Sequence, residues 1–225
     1  MGSFARLWVG VVAACVVTPG VIAGQELADF DYENLSLRGF GFEWGYIYPT
    51  RVDEAESYGL RLDLGYLGPG LRIVPSVTYW KAPFKAAEVV ELEDRVASLI
   101  QDQTGGPAPN VDLGTINWTD IVVAIDAQVV WEIPLDILTF AGVGVAAHSL
   151  NGDGSAINGT FIEDLLDSVT AGFNFHVGLE YPVTDRFRLN AQGRYEVLGD
   201  MQYFHGRFGL QIMTGANAPG EERRR

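Results

Sequence analysis

Polar and apolar residues alternate without a break from Arg186 to Val197. Arg186, Arg188, Asn190, Gln192, Arg194 and Glu196 share one parity, while Phe187, Leu189, Ala191, Gly193, Tyr195 and Val197 share the other. Successive side chains of a strand point to opposite faces, so this period of two predicts a β-strand lying between two opposed environments. A tilted strand of roughly 9–11 residues crosses a bilayer, and most strands of soluble sheets are shorter. The alternation recurs at 36–48, 57–67, 70–80, 119–132, 137–149, 170–181, 186–197 and 202–213, predicting eight strands.

The connections alternate in length. Gly68-Pro-Gly70, Pro134-Leu-Asp136 and Pro182-Val-Thr-Asp185 carry turn chemistry, whereas the links at 49–56, 81–118 and 150–169 are longer. Strands running up and down therefore place the tight turns at one end and the long loops at the other, as transmembrane barrels do.

Which face meets lipid is decided by volume. One parity gathers Phe42, Trp44, Leu60, Leu62, Val77, Ile121, Val123, Ile125, Phe173, Phe175 and Val177 among other bulky residues. An eight-stranded barrel has room inside for little more than ordinary side chains, and this set would overfill it. The other parity mixes glycines with Glu43, Arg61, Asp63, Arg72, Asp126, Glu132, Glu180, Arg188, Arg194, Glu196 and Arg207. Arg186 included, arginines and carboxylates balance in number, which a closed interior requires because an unpaired buried charge is strongly destabilising. Each Arg facing lipid near the midplane would cost about 2–4 kcal/mol. The expected fold is an all-β, eight-stranded, antiparallel up-and-down transmembrane barrel with an ion-paired lumen, short periplasmic turns, and extracellular loops containing short helices. If Glu43, Arg61, Arg194 and Glu196 interlock, the resting interior is a plug. Aromatic girdles are expected from Tyr46, Tyr48, Tyr58, Tyr79 and Tyr195 at the loop end and from Tyr66, Trp131 and Tyr181 at the turn end.

Three segments, Gly39-Phe-Gly-Phe-Glu-Trp-Gly-Tyr46, Phe140-Ala-Gly-Val-Gly-Val-Ala146 and Val177-Gly-Leu-Glu-Tyr-Pro-Val-Thr-Asp-Arg-Phe187, resemble the small eight-stranded outer-membrane barrels of the OmpA transmembrane-domain and OmpX type. The resemblance covers nearly the whole chain after residue 23 and implies a bacterial outer-membrane location. It is architectural and implies no activity. At the carboxyl end the chain departs from the family, because Ala216 to Arg225 follows the last strand where a terminal aromatic would stand.

The ends agree with export. Arg6, an apolar run from Leu7 to Val17 and the small-residue site Val21-Ile-Ala23 predict a signal peptide over 1–23. Residues 24–35 then form a periplasmic segment, 36–214 the barrel and 215–225 a periplasmic tail. Cys15 falls within the signal, so the exported chain carries no thiol. Val12-Ala-Ala-Cys15 also resembles a lipobox, although the apolar run continues beyond it. A formal net charge of −14 excludes nucleic acid as a partner, since phosphate binding needs a basic stripe.

Carboxylates dominate the loops, where only Arg51, Lys81, Lys85 and Arg95 oppose them. A solvated repulsive surface explains this, and so does sharing of divalent cations with lipopolysaccharide phosphates. Helical stripes at Val89, Leu92, Val96 and Leu99, and at Phe161, Ile162, Leu165 and Leu166, suit either a lid over the barrel mouth or a partner-binding patch. Asn151-Gly-Asp-Gly-Ser155 lacks the further acids of a calcium loop and reads as a turn.

No catalytic residue, metal centre or cofactor is expected. The expected partners are outer-membrane lipid and lipopolysaccharide, with an extracellular partner through the loops, and the expected state is a monomer. Two other classes stay open: a soluble lipocalin-like binder of small ligands, and a lipid A-modifying barrel enzyme. For the latter, His148 and Ser149 are adjacent on one strand and point to opposite faces, which is not the arrangement of a nucleophile and its base.

Overall fold

The computed structural model describes residues 31–199 and 201–214. The expected signal peptide, residues 24–30 of the following segment, Asp200 and the tail at 215–225 lie outside them. Nine strands form one antiparallel sheet: β1 (Gly39–Pro49), β2 (Ala55–Asp63), β3 (Tyr66–Gly68), β4 (Leu71–Pro83), β5 (Asn117–Ile133), β6 (Ile137–Asp153), β7 (Ser168–Pro182), β8 (Phe187–Leu198) and β9 (Met201–Met213). Each strand pairs with the next in sequence except β2, which pairs with β4 as β3 does, and β9 returns to β1, so the sheet closes on itself and leaves no edge.

β2 and β3 are two lengths of a single stave, so the barrel has eight. Between them Leu64 N–H donates to the Ile73 carbonyl while Ile73 N–H donates to that of Gly65, placing two residues opposite one. Such a bulge bends the strand and re-aims the side chains beyond it. Gly65 takes a φ of 75°, and a Cβ there would strike the Arg38 side chain. The bulge also resets parity. Tyr66 pairs with the inward-facing Arg72, and its hydroxyl is buried. Tyr66 therefore leaves the expected girdle and stands on the lumen side, with the Arg38 guanidinium 5.3 Å from its ring centre.

Elsewhere the parity holds from one strand to the next. Phe42, Trp44, Val123, Ile125, Phe175, Val177, Phe208 and Leu210 all face outward and are 42–62% exposed, which in water would be a continuous apolar girth far larger than a soluble protein tolerates. Hydrocarbon is the solvent that this surface fits, and the lipocalin-like alternative, with its apolar face inside, is excluded. Tyr48, Tyr58, Tyr79, Tyr195, Trp131 and Tyr181 also face outward near the strand ends, with Tyr46 half-buried beside Tyr48.

The staves differ in height. β1 has 11 residues, about 28 Å along the barrel axis at a rise of about 3.3 Å per residue and a tilt of about 40°, close to one hydrocarbon thickness. β5 and β6 have 17 residues each, about 43 Å, so this pair of staves is taller than one hydrocarbon thickness. Helix α1 (Ala86–Thr104) follows β4, and α2 (Phe161–Leu166) lies between β6 and β7. Gly105 ends α1 in the left-handed conformation and returns its N–H to the Gln101 carbonyl, while Thr160 caps α2 by accepting from Ile162 N–H.

Candidate functional site in the barrel lumen

Glycines on the inward parity leave room for long side chains from the facing staves. A Cβ on Gly144 would collide with Asp126 and Asn174, and one on Gly172 would lie 2.5 Å from His148 Nε2. Into that space project two ion-pair clusters. Toward the turn end, Glu180 receives Arg72 at 2.7 Å, Arg61 at 3.2 Å and Arg188 at 3.7 Å. Arg72 also reaches Asp63 at 3.5 Å, and Glu43 joins Arg61 at 3.5 Å to Arg207 at 2.9 Å. Phe140 is wholly buried among these charges, with the guanidinium carbons of Arg61 and Arg72 at 5.8 and 5.5 Å from its ring centre, so each cation rests against a π-face as well as a carboxylate.

The second cluster lies nearer the loop end. Arg194 pairs with Asp126 and, at 3.6 Å, with Glu196. His148 stands between Asp120 at 2.8 Å and Glu196 at 3.5 Å. A relay of neutral groups joins the two clusters: Arg72 donates to Gln128, whose amide meets His176, which meets Asn174, which donates to Asp126. Thus Glu43, Arg61, Asp63, Arg72, Asp126, Glu180, Arg188, Arg194, Glu196 and Arg207 all stand in the lumen. Glu132 and Arg186 do not: both are exposed, because the inward parity runs out into solvent beside the turns at Pro134 and Asp185. Asp120 and His148 take their places in the count. Both lie on the inward parity of β5 and β6, the signal by which they could have been found.

Above the second cluster the inward parity turns apolar. Ile47, Trp80, Ala82, Trp118, Leu150, Leu198, Met201 and Tyr203 enclose the loop-end lumen, and Leu92 and Val96 of α1 and Ile162 of α2 close over them. Trp80 meets Tyr203 edge-on at 6.2 Å, Phe84 lies against Trp118 at 4.9 Å, and Trp118 Nε1 donates to the Leu166 carbonyl at 3.2 Å. The helical stripes thus form a lid, with Leu99, Phe161 and Leu165 left on the outside. Alternation concealed this cap, because only the last two or three inward positions of each stave change character.

The loop cations are engaged: Arg51 with Glu88 at 2.7 Å, Lys81 with Asp153 at 3.0 Å, Arg95 with Glu91 at 3.7 Å, and Lys85 Nζ on the carbonyls of Pro49 and Thr50. Lys81 holds the exposed Asp153 carboxyl below its ordinary value, chiefly through their hydrogen bond. His148 and Ser149 face opposite sides of β6, the first buried and the second exposed. A different serine, Ser57, meets His205 at 2.6 Å inside the barrel, but both are buried, and the charges that act on the imidazole are the cations Arg207 and Arg194. The pair lacks both a carboxylate to orient the base and access for a substrate. No group of three or more His, Cys, Asp or Glu suited to a metal ion occurs among the described residues.

No family model and no curated protein matches this chain in sequence. Solved structures do match it in fold. Neisserial surface protein A has a TM-score of 0.51 at 13% identity, with 78% of this chain aligned to 96% of that one. Ail, the attachment invasion locus protein of Yersinia pestis, has a TM-score of 0.50 at 9% identity, covering 80% of this chain and 99% of that one. With its closed eight-stave sheet, apolar girth and charged lumen, the chain has the fold of the small outer-membrane β-barrels, and the bacterial outer membrane is its location.

Proposed function

We propose that this protein is a non-conducting, monomeric anchor that displays an ordered acidic crown at the cell surface, in a structural and surface-contact role. The observation that carries this reading is the double closure of the lumen. Passage of a solute would require separating the carboxylates and guanidinium groups around Glu180 and also lifting Trp80, Trp118, Leu92 and Val96 from the mouth. Either closure alone stops hydrated ions, which makes the minor-pore role the weaker alternative. What remains available to partners is the outward apolar wall, which lipid covers, and the crown. There Glu91, Asp94 and Asp102 line exposed parts of α1 and favour cationic contacts.

Planar-bilayer recording of the folded protein tests the reading. The expected result is a baseline without unitary steps, both for wild type and for a variant in which 86–104 is replaced by a short Gly-Ser linker, because the ion clusters persist beneath the missing lid. Regular steps in wild type would return the protein to the pore class. Surface contact is tested separately by adhesion of cells displaying wild type or the lid-deleted variant to cationic and neutral surfaces, with a loss of cationic binding expected for the variant.

A further inference from the structure

Outside the lumen, one recess gathers charges of both signs. Tyr46, Tyr48, Pro49, Asp53, Glu54 and Lys85 line a space of about 460 Å³ at the loop end of β1, within the size range of small-molecule sites. Its frame is fixed by backbone. Val52, wholly buried, bridges Phe84, while Asp53 N–H donates to the Pro83 carbonyl and Lys85 N–H to that of Arg51.

Lys85 Nζ spends two of its three N–H groups on the Pro49 and Thr50 carbonyls, at 2.8 and 2.9 Å, which holds the ammonium in place and leaves one donor over. Among the described residues no ion pair joins Lys85 to Asp53 or Glu54, although all three line the same recess. Both carboxylates are exposed and enter no other ion pair there. Opposite charges held apart around one cavity are complementary to a ligand that carries both. Tyr46 and Tyr48 add two π-faces, their ring centres 5.3 Å apart and inclined at 59°, of the kind that receives an alkylammonium group.

Depth identifies the source of such a ligand. β1 spans about one hydrocarbon thickness, so Tyr46 and Tyr48 at its loop end stand at headgroup level. Phe204, paired in register with Tyr48 and 6.3 Å from its ring, carries the outward apolar wall up to the recess. A lipid whose chains lie on that wall has its headgroup at the recess.

We propose that this recess binds the zwitterionic headgroup of an outer-leaflet lipid, a phosphate joined to an alkylammonium, with the ammonium against Asp53, Glu54 and the tyrosine rings and the phosphate on the remaining Lys85 donor. A purely anionic headgroup would meet the two carboxylates without compensation. The site is separate from the acidic face of α1, so cell adhesion reads that face and lipid retention reads this recess.

The test is native mass spectrometry of the folded full-length protein released from a non-ionic detergent, with short-chain phosphatidylethanolamine and phosphatidylglycerol offered at equal concentration. The expected result is one retained phosphatidylethanolamine per barrel, with phosphatidylglycerol held about tenfold more weakly. Asp53→Asn combined with Glu54→Gln, both exposed and isosteric, should weaken that retention about tenfold, Lys85→Met by a similar factor, and Tyr48→Leu about threefold. Free O-phosphoethanolamine should displace the lipid, whereas inorganic phosphate or ethanolamine alone should not. Should Lys85→Met fail to fold, the carboxamide pair still decides the question. Equal retention of the two lipids, retention unchanged in the carboxamide pair, or displacement by either half of the headgroup alone overturns the proposal.

Discussion

The turn-end and loop-end halves of the lumen close the same barrel by opposite chemistry. Below, Glu180 gathers three arginines in a space free of bulk water; above, Trp80, Tyr203, Met201 and Leu92 exclude water by packing. The contrast shows what each closure resists. A charged cluster is intolerant of losing one member, because the others are left buried and unpaired. An apolar cap loses only the contacts of the side chain removed. The lower half therefore specifies one arrangement, and the upper half is open to replacement.

Substitutions can break this comparison in order of expected effect. Glu180→Leu takes away the one carboxylate that Arg188 meets and leaves Arg61 and Arg72 only their 3.5 Å contacts with Glu43 and Asp63, and should cost about 4 kcal/mol, read as a shift of the urea midpoint for unfolding from lipid vesicles. Because the cap is untouched, its bilayer baseline should stay flat. Trp80→Ala leaves a cavity beside Tyr203 and should cost about 3 kcal/mol in the same assay, again without conductance. A cost well above that of Glu180→Leu would reverse the ranking of the two halves. Gly144→Ala drives a methyl group into Asp126 and Asn174 and should cost about 2 kcal/mol by overpacking, whereas Gly159→Ala, in a loop turn, should leave the lumen untouched.

The smallest effect belongs to the crown. Lys81 lowers the Asp153 carboxyl, so their attraction is present above the ordinary carboxylate value of about 3.9 and fades as pH falls through the lower folded value. In Lys81→Ala, carbon-detected NMR titration should show Asp153 returning to ordinary behaviour, with no measurable change in stability at neutral pH and high salt. An unaltered titration would mean that something other than Lys81 holds the carboxylate.

Much of the barrel is legible in the chain. Period two reveals the staves, and the mixture of glycine with Arg and Glu on one parity reveals a charged interior. Three things are not legible, each for a physical reason. The bulge at Leu64 and Gly65 inserts a residue into the count, so alternation places Tyr66 on the wrong face although it holds on either side of the bulge. Glu132 and Arg186 carry the right parity but sit beyond the lumen's end, a matter of depth that alternation does not encode. The partnership of Ser57 with His205 spans 148 positions and is decided by closure of β9 onto β1, which no local pattern announces.

The unequal height of the staves gives the mouth an oblique rim. On the side of β4 to β7 the wall rises with Asn117, Thr119, Asn151 and Asp153; on the other, β1 hands over to β2 near Ile47 and Ala55, and β8 turns into β9 almost at once after Leu198. A molecule moving in the plane of the outer leaflet would thus meet a tall wall from one compass direction and a low one from the other. On that low flank it first meets Tyr46, Tyr48, Asp53, Glu54 and Lys85, which line a shallow recess. Direction of approach, as much as charge, is written into this protein's silhouette.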